Sequence, residues 1–171
     1  MSFRLLLLAL LLSCSGLGHA QPKDQTEALS DLSQMFYEDS ATFRREHLDR
    51  RKLDFSLASL KHVNEYLEAV RGAKDVEKTW NRTVLRAGAY VGEVIRKNDV
   101  KVKWQWLDYE GAKMINPRAF ESFGKSIATA AVLYDGKDGF AFPLAKVEKY
   151  LNNGAEDDVY FFAEAIISHR Q

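Results

Sequence analysis

The sequence predicts an α+β fold with a helical N-terminal half, a small antiparallel sheet of about three strands and two C-terminal helices. Apolar residues recur every three or four positions in the first half of the chain. They then form short alternating or β-branched runs, and helical spacing returns after Pro143. Helices that precede a group of strands, without strand–helix alternation, indicate α+β rather than parallel α/β architecture.

Three helices are expected in the first half. The first covers residues 28–51, with a break near its middle. The second begins at Ser56, a good N-cap residue, and stops at Gly72. The third covers residues 76–97, where apolar side chains again keep helical spacing.

The second half is expected to contain the sheet and the closing helices. Residues 102–109 alternate as a strand does, and residues 127–134 and 140–142 form a hairpin around a glycine-containing loop. Pro143 begins the next helix, because its fixed φ angle suits a first helical position. A last helix is expected over residues 156–169.

Residues 1–20 predict a cleaved export signal. Arg4, eight consecutive apolar residues (5–12) and a small-residue tract ending in Ala20 form the three parts of a secretory signal. The apolar run is shorter than the roughly 20 residues that a transmembrane helix needs, so no transmembrane helix is expected after cleavage.

Cys14 leaves an alternative open, because its surroundings resemble a bacterial lipoprotein box. The product is therefore expected to be periplasmic or secreted after cleavage at Ala20, the favoured reading, or lipid-anchored through Cys14.

We expect the rest of the chain to form a flexible leader (21–27) and a single globular domain (28–171). Its composition excludes several classes of site and partner. Cys14 is the one cysteine, so disulfides, cysteine nucleophiles and cysteine zinc sites are excluded from that domain. The 24 basic side chains include Arg4 of the signal, and 24 side chains are acidic. A net charge of about −1 for the remaining chain argues against a nucleic-acid partner and a polybasic membrane surface.

Three segments carry a family resemblance: Leu-Asp-Phe-Ser-Leu-Ala-Ser-Leu at 53–60, Gly-Ala-Tyr-Val-Gly-Glu-Val-Ile at 88–95, and the tryptophans Trp104 and Trp106. Together they resemble a group of uncharacterised bacterial exported domains with a "LDxSxxSL … GAYxGEV … W" pattern. The resemblance covers about residues 53–167. It implies a bacterial, exported domain and implies no activity.

Glu93 is the first candidate for chemistry. It lies in an apolar stretch of the third helix beside Gly92, and Gly88 lies four residues earlier on the same face. The two glycines predict a closely packed neighbour, and a carboxylate on that face has to be paired to offset the cost of burial. A structural role, for example with Arg96, is favoured over a catalytic one.

Asp108 and Glu110 are the other catalytic candidates. They follow Trp104 and Trp106 along the aromatic strand, and carboxylates beside aromatic rings are typical of clefts that bind and cleave sugars. A hydrolase of a cell-envelope polymer would use Glu93 together with Asp108 or Glu110.

Aromatic side chains on the strand and the third helix are candidates for a binding surface, although tryptophans that alternate on a strand belong more often to the core. The candidate binding residues are Tyr90, Trp104, Trp106 and Tyr109.

No cofactor or metal is expected, because the histidines His47, His62 and His169 are isolated and no catalytic motif is present. The sequence therefore favours a non-catalytic binding or interaction protein of the cell envelope, with a protein or an envelope component as its partner. The alternatives are the envelope-polymer hydrolase and an exported immunity-type protein that blocks a toxin.

Overall fold

A computed structural model describes residues 24–168. In that part of the chain it has seven α-helices and a three-stranded antiparallel sheet, which confirms the expected α+β class. The predicted export signal, with Cys14 and Ala20, lies outside the described residues, as does His169. Among residues 24–168, no helix combines the length and the apolar character that a bilayer span requires.

The elements follow one another along the chain in the order helices, first strand, helices, hairpin, helices. The helices are α1 (Thr26–Glu38), α2 (Leu60–Arg71), α3 (Val76–Asn98), α4 (Tyr109–Ile115), α5 (Pro117–Phe123), α6 (Pro143–Asn153) and α7 (Val159–Ser168). The strands are β1 (Gln105–Asp108), β2 (Ala131–Tyr134) and β3 (Phe140–Ala141). β2 lies in the centre of the sheet, with Trp106 opposite Leu133 and Leu133 opposite Ala141.

The first predicted helix is shorter than expected. α1 ends at Glu38, and two short 3₁₀ turns, Arg45–His47 and Arg50–Lys52, replace its second half. The Thr42 hydroxyl donates to the carbonyls of Met35 and Phe36, so it satisfies acceptors that the last turn of a helix leaves open. The first helix therefore ends near the position where the sequence predicted only a break.

The leader predicted at residues 21–27 is structured from Asp24 onward. Asp24 forms an antiparallel bridge with Leu107, and the Gln25 backbone N–H donates to the Trp106 carbonyl at 2.9 Å. The outer edge of β1 thus gains a backbone partner, which an exposed strand edge lacks. We call residues 24–26 the N-terminal strap.

Two short helices, α4 and α5, were not anticipated from the sequence. The Asp108 carboxylate accepts from the Gly111 N–H and ends the strand by starting α4, and the Asn116 side chain caps α5 in the same way. Each helix has only seven residues, too few to show a clear helical period.

The sheet lies between two apolar cores. Trp106, Leu133 and Ala141 point into the larger core around α3, whereas Leu107 and Val132 point into a smaller core with α4 and α5. This alternation follows from the two-residue period of a strand. α3 is the central helix, because α1, α6 and α7 all pack on it.

The two glycines of α3 permit close packing, in two different ways. A Cβ at Gly88 would lie 2.8 Å from the Leu144 Cα, so Gly88 admits the backbone of α6, as expected. A Cβ at Gly92 would overlap the Trp106 indole and lie 3.2 Å from Pro143 Cγ. At Gly92, therefore, the close neighbour is the Trp106 side chain of β1 rather than a backbone.

Gly92→Ala is expected to lower the free energy of unfolding by about 1–3 kcal/mol, because the new methyl group displaces a fully buried indole. Urea unfolding measures this change. Gly72→Ala is the matched control: its Cβ would meet only the Glu68 carbonyl oxygen, at 3.9 Å, so its stability should not fall. Equal stability of the two variants would contradict the packing described here.

Candidate functional site

Glu93 is fully buried where α3 packs on β1, and both of its carboxylate oxygens are hydrogen-bonded. The Trp106 Nε1–H donates to Oε1 at 2.9 Å. Arg96, one turn further along α3, donates from Nε to Oε1 at 2.9 Å and from Nη2 to Oε2 at 3.1 Å. A buried carboxylate is tolerated when it is paired and bonded in this way.

Trp106 is fixed through both its side chain and its backbone. Its ring occupies the space that Gly92 leaves on α3, and its backbone is fixed by the strap. The Thr26 hydroxyl accepts from the Trp106 N–H at 3.2 Å, and the Gln25 N–H donates to the Trp106 carbonyl. The strap and the buried carboxylate are therefore parts of one structural unit.

A polar surface groove of about 560 Å³ lies over this unit. Its lining includes Arg96, whose side chain is 30% exposed, and acidic and hydroxyl groups of the strap and α1. Glu93 does not line the groove. A general acid or base must come within hydrogen-bond reach of a substrate, so this arrangement suits a structural role for the Glu93 carboxylate.

The other catalytic candidates are engaged elsewhere. Asp108 caps α4 through the Gly111 N–H at 2.7 Å. Glu110 is exposed and forms an ion pair with Lys125 at 2.9 Å, and this hydrogen bond lowers the pKa of Glu110. Among the described residues, neither carboxylate shares a hydrogen-bond partner with Glu93, whose own oxygens are bonded to Trp106 and Arg96.

The four aromatic residues predicted to bind a partner lie inside the molecule. Their exposed fractions are 0% for Tyr90, 3% for Trp104, 0% for Trp106 and 7% for Tyr109. The physical reason is that all four rings pack into the two cores. Tyr90 of α3, Trp104 and Trp106 belong to the larger core, and Tyr109, at the start of α4, belongs to the smaller one. These rings therefore do not form the surface that the sequence suggested.

The hydroxyl of Tyr90 is part of the packing as well. It donates to the Ser59 Oγ at 2.9 Å and accepts from the Phe55 N–H at 3.0 Å. Burial raises the pKa of Tyr90 to about 12, so the hydroxyl stays protonated at neutral pH. Phe55, at φ 61°, stacks on the Tyr90 ring with 4.7 Å between the centroids, and the Lys97 Nζ lies 3.5 Å from the centroid of the Phe55 ring.

The three segments that carry the family resemblance meet in these contacts. Phe55 and Ser59, of the first segment, contact Tyr90 of the second. Gly92 and Glu93, also of the second, contact Trp106 of the third. Residues of these segments thus pack α3 against the segment before α2 and against β1.

Sequence reasoning missed an apolar groove of about 400 Å³ between the end of α5 and the start of α6. Phe123 is 55% exposed at its edge, and the Phe123 and Phe142 ring centroids lie 5.3 Å apart at 79°. The remaining lining residues are Ser126, Ala128, Thr129, Ala145, Glu148 and Lys149. The recurrence of phenylalanine at 120, 123, 140 and 142 was the available signal.

Residues 24–168 contain no group of three or more histidine, cysteine, aspartate or glutamate side chains that could hold a metal ion. His47 lies beside Glu46 and His62 beside Glu65, as separate surface pairs.

Comparison of the chain with known protein families, curated proteins and solved structures finds no match in any of the three.

Glu93→Gln is expected to lower the free energy of unfolding by about 1–3 kcal/mol, because it leaves the Arg96 guanidinium without its counter-charge. The double variant with Arg96→Gln should lose less than the sum of the single losses. Urea unfolding measures both. Glu110→Gln, which alters an exposed pair, should show no change. An unchanged stability of Glu93→Gln would contradict the structural role.

The strap is expected to loosen in acid. Burial opposes ionisation of Asp24, but hydrogen bonds from Thr26 and Gln105 outweigh this effect and lower its pKa below 3.8. The ionised carboxylate therefore stabilises the fold fully above about pH 5, and this contribution is lost as pH falls through the lowered pKa.

Asp24→Asn should remove that pH dependence. The difference in unfolding free energy between the native chain and the variant should be constant above about pH 5 and should shrink below about pH 4. Urea unfolding in steps of pH gives the difference curve. A difference that stays constant into the acid range would refute the assignment.

Proposed function

We propose that this chain is a non-catalytic binding domain that acts outside the cytoplasm. We further propose that its partner is a protein, one apolar side chain of which enters the groove beside Phe123. The secretory pattern of residues 1–20 supports the location. The observation that carries the binding role is the exposed, phenylalanine-edged groove.

The groove has the composition of a binding site. Ala128 and Ala145 leave room beside the rings of Phe123 and Phe142, and the volume of about 400 Å³ lies within the range of ligand pockets. An exposed phenylalanine leaves apolar surface in water, and burying such a side chain contributes about 1.5–3 kcal/mol. A partner that covers Phe123 would gain part of that free energy.

Two features favour a protein side chain over a sugar ring. The Phe123 and Phe142 rings stand at 79° to each other, so they form a corner rather than a flat stacking platform. Glu148 and Lys149, which also line the groove, have no ion-pair partner among the described residues. An apolar side chain flanked by charged residues of a polypeptide would match both features.

The same geometry weighs against catalysis. Glu93 is bonded to Trp106 and Arg96, Asp108 caps a helix, and Glu110 is paired with Lys125. A catalytic centre needs a nucleophile or base with an orienting partner at the edge of a pocket. The charged groups discussed above serve folding instead.

Site-specific photocrosslinking in the organism that encodes the chain tests the proposal. A photoreactive phenylalanine analogue at position 123 should give one discrete protein adduct. Phe161, which is 64% exposed on α7, is the matched control position and should give none. Ala145→Arg, which fills the groove, should abolish the adduct at 123.

Three outcomes would overturn the proposal: no adduct at position 123, the same adduct from position 161, or an adduct at 123 that survives Ala145→Arg.

A further inference from the structure

A basic segment joins α1 to α2, and its backbone is well anchored. Residues 44–52 carry five arginine or lysine side chains and one histidine against two acidic side chains. Leu48 is buried within the segment, and Leu53 is buried directly after it. The two 3₁₀ turns hold the backbone through i→i+3 hydrogen bonds. The cations are therefore presented on a defined surface.

The acidic residues of this basic segment are already paired. Arg51 binds the Asp49 carboxylate with two hydrogen bonds, each of 3.1 Å. Arg44 lies 3.4 Å from the Glu46 carboxylate. Within the described part of the chain, Arg45, Arg50 and Lys52 form no ion pair within 4 Å.

Two of these unpaired cations line one surface pocket. Arg45 and Arg50 contribute to an open pocket of about 480 Å³ together with Ser40, Glu46 and Leu48. The Arg45 Nε is buried and has no acceptor among the described residues. The charge of Glu46 is matched by Arg44, so the pocket keeps an excess of positive charge.

We propose that this pocket binds a phosphate group. Guanidinium groups present several donors in a plane and match the oxygens of phosphate better than any other side chain. Two of them beside the Ser40 hydroxyl can each take a different oxygen of the tetrahedral anion. The site is remote in sequence from the Phe123 groove, and the proposal does not depend on that groove.

Titration of the full chain with inorganic phosphate at low ionic strength, followed by NMR of the arginine Nε–H resonances, tests the inference. Saturable shifts are expected at Arg45 and Arg50. The double variant Arg45→Gln, Arg50→Gln should bind about tenfold more weakly or worse. Arg50→Gln alone alters an exposed side chain that folding does not need, and it should weaken binding about threefold.

The matched control removes the same charge elsewhere. Lys52→Gln with Arg118→Gln takes away two exposed cations that do not line the pocket, and binding should change less than about twofold. An equal loss in the control would show general electrostatic attraction only and would overturn the site. Absence of saturable binding by the native chain would overturn it as well.

The source of the phosphate is distinguished with vesicles. Binding to phosphatidylglycerol vesicles, but not to phosphatidylcholine vesicles, with competition by free phosphate, would assign the site to a lipid headgroup. Binding of free phosphate alone would assign it to a soluble phosphate compound. Binding to phosphatidylglycerol vesicles that persists in the Arg45, Arg50 double variant would contradict the pocket.

Discussion

The contact between the Trp106 indole and α3 fixes the relative positions of the sheet, α3 and the N-terminal strap. The ring fits only because Gly92 has no side chain, and its Nε1–H then meets the buried Glu93 carboxylate. Arg96 balances that charge from the same helix. The strap holds the backbone of Trp106 from outside, and Pro143, at the start of α6, packs close to the same glycine. The hydrogen bond between Trp106 and Glu93 thus fixes how α3 and β1 are aligned in an otherwise apolar interface. Another alignment would leave the buried carboxylate unpaired, which would be costly.

This arrangement changes where function has to be sought. The sequence made Glu93 a catalytic candidate but favoured a structural role, and both carboxylate oxygens of Glu93 are bonded to Trp106 or Arg96. Two surface features of the described residues stand apart from this packing. One is the apolar groove edged by Phe123, and the other is the cationic pocket of Arg45 and Arg50. The two binding proposals rest on these features.

The sequence predicted the elements whose signals are local and strong. The long apolar period of α3, the Gly72 stop, the hairpin glycines and Pro143 all correspond to what the structure contains. The prediction from sequence failed where contacts between distant parts of the chain determine the local structure. The strap is ordered because the edge of β1 offers backbone partners to Gln25, and no local pattern reveals that. Trp106 of β1 and Trp104, just before the strand, were assigned to a possible surface because strand alternation does not tell which faces are covered. The Phe123 groove joins residues from α5 and α6, so its signal, the recurring phenylalanines, is divided between two distant stretches of sequence.

Hydrogen exchange of the Trp106 indole Nε1–H tests the central claim most directly, because that single proton reports on the contact with Glu93. If the contact is the structural centre described here, the proton should exchange only through global unfolding. Its free energy of opening should then equal the free energy of unfolding measured with urea. Exchange through a local opening of much lower free energy would show that the fold persists without this contact, and it would contradict the account.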